Sequence, residues 1–220
     1  MTRLLLVVAL ALVAVGCGGS DGGGEDGSSF VPTEIADDCL LLLHGKGSDG
    51  APPRVDGDRL VISPRGNANG WDAYQWEYRT ADDYADARAV VLNVLNQAQC
   101  LRVVIHGFSN GAAMTAALAC DAEFHGGPVV GYVVDDPVTD DVPIGCTPDP
   151  DAEVALYWTG ALPDTAGPGT SCASVDWTCL GDTVRSIDDY AADLGVDWQA
   201  SIHDDHRRYD DPPELDRWFG

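Results

Sequence analysis

Residues 39–45 read Cys-Leu-Leu-Leu-Leu-His-Gly, an unbroken apolar run that stops at a histidine and a glycine. A strand with one wet face alternates apolar and polar residues, so a run without alternation belongs to a strand buried on both faces. Other strand-like runs follow at 59–66, where Pro64 ends the strand, and at 101–107, 128–137, 153–160 and 197–203. Helical patterns lie between them. Residues 80–98 set Tyr84, Ala87, Val91, Val94 and Leu95 on one face, with acids in the first turn. An alanine-rich helix is predicted from Ala112 to Cys120, a third over 182–195 that Gly195 caps, and a short closing one within 212–220 that opens on proline. Strands buried on both sides and separated by helices give an α/β fold, a mostly parallel sheet with helices on both faces.

One junction in this alternation has no spacer. Residues 103–114, VVIHGFSNGAAM, run from strand into helix through Gly107-Phe108-Ser109-Asn110-Gly111, which is G-x-S-x-G. In that context the serine stands on a strained turn with its hydroxyl above the sheet, and the flanking glycines remove side chains that would collide there. The start of a helix just behind it favours developing negative charge.

At these residues the chain resembles the α/β-hydrolase family, and the likeness spans most of residues 37–220. "GFSNGAAM" is similar to the nucleophile elbow of small carboxylesterases and phospholipase-type members, and "LLLHGKGSDG" (41–50) resembles the family's His-Gly-x-Gly segment. The resemblance implies Ser109 as nucleophile and the backbone amides of Lys46 and Asn110 as the oxyanion hole. It also places the base last in chain order. Of the five histidines, His44 falls in the oxyanion segment, His106 within a strand and His125 in a glycine-rich loop. That leaves "SIHDDHRRYDD", where His206 in the loop is favoured and His203 at the strand end is the alternative. For the acid, the family's position after its seventh strand points to Asp164 in "YWTGALPDTAG", and Asp136 after "YVVDD" is the alternative. Neighbouring third and fifth strands in the family's sheet imply that Cys39 pairs with Cys100 at the end away from the active site. Cys172 and Cys179 bracket a local loop and are expected to pair, which leaves Cys120 and Cys146 to each other.

The N-terminus is of another kind. Residues 1–16 have one arginine and then an apolar core, a signal peptide too short for a membrane span, and "AVGC" resembles a bacterial lipobox ending at Cys17. The chain is therefore expected to be exported and held at the cell envelope by lipid on Cys17, with plain secretion as the alternative. Residues 17–36, rich in Gly, Ser and Asp, read as a flexible tether to the domain at 37–220. With Cys17 set aside, the six remaining cysteines suit disulfides in an oxidising compartment.

The 220 residues carry a net charge of −24, from 36 acidic and 12 basic side chains, which argues against a nucleic-acid partner and for a soluble monomer. Lys46 is the single lysine, and its ammonium either attracts an anionic substrate or simply faces water. Trp71, Tyr74, Trp76 and Tyr78 form an aromatic group that fits either a substrate pocket or the core. The expected activity is a serine hydrolase acting on small or polymeric carboxylic esters through an acyl-enzyme, with no metal or organic cofactor. A polyester depolymerase or peptidase would use the same residues, and a non-catalytic cell-surface binding protein could use the same scaffold.

Overall fold

The structure is a computed structural model that describes residues 36–70, 73–78, 80–139, 146–160 and 186–220. In chain order the elements are β1 (Asp38–Leu43), β2 (Ala51–Asp56), β3 (Arg59–Ser63), β4 (Ala68–Asn69), β5 (Tyr74–Gln75), α1 (Ala81–Ala98), β6 (Arg102–Phe108) and α2 (Asn110–Ala119). They are followed by β7 (Val129–Asp135), β8 (Glu153–Trp158), α3 (Ile187–Leu194), β9 (Trp198–Ala200) and α4 (Glu214–Phe219). Seven strands form one sheet in the order β2-β3-β1-β6-β7-β8-β9, parallel throughout except for β2, and β4 pairs with β5 in a separate hairpin.

The apolar runs divide between the two faces of this sheet. Leu41, Leu43, Ile105 and Tyr132 pack under α1 and part of α2, while Val134 and Leu156 meet the rest of α2 and α3. Leu40, Leu42, Val104, Val133 and Tyr157 point the other way, onto Leu215, Trp218 and Phe219 of α4. Trp218 lies so close over Gly131 that a Cβ there would stand 2.5 Å from its ring. Both faces are thus closed, which is why these strands show no alternation. Trp76 and Tyr78 are core residues on the α1 side, so the packing reading holds for these two; Trp71 lies outside the described residues. Tyr74 is half-buried, with the Arg65 guanidinium over its ring.

Local chemistry sets the element ends. Thr80 caps α1 by accepting the Asp83 N–H, and Gln99 closes it in the left-handed conformation. Ser186 caps α3 in the same way and Gly195 ends it at φ 73°. The patterning leaves out β2, which contains Pro52 and Pro53; as an edge strand it tolerates residues that cannot donate to a ladder. α2 begins at Asn110 rather than Ala112, and β9 stops at Ala200, which leaves His203 in a loop rather than at a strand end.

Two of the disulfides implied by the sequence are formed. Cys39–Cys100 joins the beginning of β1 to the residues entering β6, beside the paired Arg102 and Asp38, which meet through two hydrogen bonds of 2.6 and 2.9 Å. Cys120–Cys146 fastens the C-terminal end of α2. Cys17, Cys172 and Cys179 lie outside the described residues, as do all of residues 1–35.

Candidate active site

Ser109 occupies the turn between β6 and α2 at φ 56° and ψ −117°, a conformation that L side chains rarely adopt. The surrounding backbone over-determines it. Its N–H donates to the Asp135 carbonyl at 3.0 Å, and its own carbonyl accepts the N–H groups of Ala112 and Ala113. Gly107 and Gly111 are required by contact: a Cβ on Gly111 would lie 2.6 Å from the His44 carbonyl oxygen, and one on Gly107 would be 2.5 Å from the Gly111 carbonyl carbon.

The His206 ring reaches this corner from the loop after β9. Its Nε2 lies 3.0 Å from Ser109 Oγ and its Nδ1 lies 2.5 Å from Asp136 Oδ2. Phe108 packs on the imidazole with ring centroids 4.7 Å apart. The partners assign the tautomer: Nδ1–H donates to the carboxylate, and Nε2 is left to accept the serine proton. Asp136 is fully buried, whereas the His206 side chain is 29% exposed.

Asp136, the alternative in the sequence reading, is the carboxylate that meets His206; the favoured Asp164 lies outside the described residues. The physical reason is in the backbone. β7 ends at Asp135, Asp136 turns at φ 48°, and its N–H donates to the Tyr157 carbonyl at 2.9 Å. Thr159, in the loop after β8, then gives the carboxylate two more donors, N–H to Oδ1 at 3.1 Å and Oγ1–H to Oδ2 at 2.7 Å. So the loop in which the acid was sought supplies the acid's anchor. His203 does not face the serine: its Nδ1 accepts from the Arg207 guanidinium at 2.8 Å, and its ring lies edge-on to Tyr209.

The glycine-rich segment after β1 lies directly against Ser109, with the Cβ position of Gly45 only 3.3 Å from Ser109 Cβ. Gly47 N–H donates to the Tyr74 carbonyl, and Tyr74 N–H returns to Ser48, which ties this segment to β5. Lys46 sits between Gly45 and Gly47, where the resemblance places one oxyanion amide; Asn110, at the start of α2, is where it places the other. The Asn110 side chain does something the sequence does not signal. It is buried and clamps Trp76 by both backbone groups, accepting its N–H at 2.7 Å and donating to its carbonyl at 3.0 Å. His44 is a structural neighbour of the site. Its Nδ1–H donates to the Gly45 carbonyl, its Nε2 accepts Gly66 N–H, and burial holds its pKa below the usual imidazole value. Among the described residues no group of three His, Cys, Asp or Glu side chains could hold a metal ion.

No protein-family model matches this chain, and no curated protein matches it by sequence. Some solved structures are partly similar in the course of the backbone, each at a TM-score of 0.49 or below. Atu2452, a protein of unknown function from Agrobacterium tumefaciens, is similar at a TM-score of 0.49 and 15% identity, over 84% of this chain and 90% of that one. The carboxylesterase of Bacillus cereus is similar at 0.47 and 18% identity, over 84% and 89%. Zea mays acyl-protein thioesterase 2 gives 0.46 and 18%, over 86% and 93%. The structure itself has the mostly parallel sheet with helices on both faces that the sequence predicts, an α/β-hydrolase-like fold, with a strained serine between glycines at one strand–helix corner and the His206 ring beside it.

Proposed function

We propose that the protein is a serine hydrolase that cleaves carboxylic esters through an acyl-enzyme, with Ser109 as nucleophile, His206 as base and Asp136 as the acid that orients it. The observation that carries this reading is the unbroken hydrogen-bond chain from Ser109 Oγ through His206 to Asp136. As Ser109 attacks the acyl carbon, its proton passes to His206 Nε2, and the buried Asp136 carboxylate stabilises the imidazolium that results. The charge that gathers on the carbonyl oxygen is met by the amides of Lys46 and Asn110. Collapse of the tetrahedral intermediate expels the alcohol with the proton held on His206, and water reverses the sequence to release the acid.

Asp136 also argues against a non-catalytic binding protein on this scaffold, because a histidine oriented by a buried carboxylate is costly to keep without a proton to move. The test is hydrolysis of p-nitrophenyl acetate by the full chain beside Ser109→Ala and His206→Ala. Turnover in the wild type, lost in both variants, is the expected result. A wild type that neither turns over ester nor is labelled at Ser109 by a fluorophosphonate sinks the reading. For the N-terminus we infer cleavage before Cys17 and lipid attachment there, which mass spectrometry of the mature chain checks through a diacylglyceryl mass on Cys17.

A further inference from the structure

Asp135, next to the proposed acid, faces the opposite way, with Val133 and Tyr157 on the α4 side of the sheet. Its carboxylate is fully buried, and so is the His106 ring beside it, with Nε2 3.3 Å from Asp135 Oδ2. The same oxygen accepts the N–H of Tyr209 at 2.6 Å, three residues beyond His206. The Asp135 carbonyl, in turn, accepts the N–H of Ser109. One residue therefore touches both the turn that carries the nucleophile and the loop that carries the base.

That loop needs an anchor. Residues 203–211 form no helix or strand, and several of the loop's hydrogen bonds are internal, such as Arg207 to His203 and Arg208 to Asp210. Among the described residues, Tyr209 N–H to Asp135 is its hydrogen bond to the sheet apart from those of His206 itself. The Tyr209 ring then rests edge-on upon Tyr157, 5.0 Å between centroids, and the Tyr157 hydroxyl donates to buried Glu214 of α4. A buried carboxylate is an expensive way to fill core space, since apolar side chains of similar volume serve stability as well or better.

We propose that Asp135 is a positioning residue: held by His106, it fixes the chain at Tyr209 so that the His206 ring stays in line between Asp136 and Ser109. This rests on the triad reading above. Displacing a base by about 1 Å costs on the order of 100-fold in rate, and the loss falls on kcat because Asp135 touches no substrate.

The experiment compares the full-length wild type with Asp135→Asn and with the double variant His106→Leu/Asp135→Val. The double variant removes both buried polar partners together, so no charge is stranded and the core stays apolar. Three quantities are read: kcat and KM on p-nitrophenyl acetate, the thermal midpoint, and the low-field NMR resonance of the His206 Nδ1 proton, assigned by its absence in His206→Ala. The double variant should melt at or above the wild-type temperature, lose roughly 30- to 100-fold in kcat with KM within about twofold, and lose the low-field resonance. Asp135→Asn keeps an oxygen at the Oδ2 position, where it accepts both Tyr209 N–H and His106 Nε2–H, and its NH2 takes the Oδ1 position, so it should stay within about fivefold of wild-type kcat. A double variant with wild-type kcat and resonance overturns the proposal. So does one that fails to fold, or whose activity falls only with its folded fraction, because the pair then serves the core. If the wild type turns over no ester, the functional reading fails by itself, and the resonance still reports whether Asp135 holds the loop.

Discussion

Ser109 and His206 meet at 3.0 Å, yet they arrive there by different means. The serine stands at a corner closed by backbone contact, in which Gly107 and Gly111 are packed against carbonyls of the neighbouring chain and every residue of α2 behind it is buried. The histidine stands on irregular chain, partly exposed, and is held by a few side-chain hydrogen bonds to Asp136 and, through Tyr209, to Asp135. Packing of the first kind cannot be altered in one place without disturbing the fold. Point contacts of the second kind can be removed singly. Catalysis and stability should therefore be inseparable at the corner and separable in the loop.

The largest effect is expected from Asp136→Asn, which tests separability directly. An amide cannot hold the Nδ1–H tautomer, and kcat should fall by roughly 10⁴-fold while the thermal midpoint stays close to wild type. Equal losses of both would erase the distinction. Gly111→Ala probes the corner. Its Cβ would stand 2.5 Å from the Leu43 carbonyl carbon, so backbone must move. Urea denaturation should show a loss of about 3 kcal/mol, together with lost turnover; an inactive but fully stable variant would break the claim for this region. Thr159→Val removes the hydroxyl donor to Asp136 and leaves the backbone donor in place. We expect about a tenfold drop in kcat, equivalent to about 1.4 kcal/mol, with KM unchanged in steady-state assays.

The smallest effect sharpens the comparison from the corner side. Burial is the main reason that the His44 pKa is lowered in the folded chain, and its Nε2 is occupied as an acceptor. The unfolded chain takes a proton near the ordinary imidazole value of about 6.5, which the folded chain resists. This contribution is fully present above that pH and is lost as pH falls from there through the lower folded value. NMR titration should find the His44 ring still neutral at pH 6.5, and melting temperature should decline on further acidification. A ring that titrates at the ordinary value would remove His44 from the list of groups locked by packing.

The same contrast explains what could be read in the sequence. The strand–helix order and the elbow were legible, because burial on both faces and a glycine-flanked serine are local patterns that survive in one dimension. Of the two described disulfides, Cys39–Cys100 follows from the neighbouring strands that the resemblance implies, and Cys120–Cys146 is the pair left once Cys172 and Cys179 are set together. The acid was not legible. Asp164 and Asp136 are both plausible by position, and what brings Asp136 to His206 is a backbone turn at Asp136 and donors from Thr159, 23 residues away in sequence. The clamp from Asn110 to Trp76 spans 34 residues and leaves no pattern at all. β2 was hidden for another reason: its two prolines are a signal against a strand, and only the edge position reverses it.

Those prolines have a consequence for molecules meeting one another. Among the described residues the seven-stranded sheet ends at β2 on one side and at the three-residue β9 on the other. Pro52 and Pro53 offer no N–H to an incoming chain, and β9 is too short to register one. Among the described residues, a sheet otherwise rich in leucine and valine is left with a poor rim for a second copy to continue, and the charge of −24 adds repulsion before contact. Crowded copies of this protein should thus slide past one another where an unguarded parallel sheet would stick.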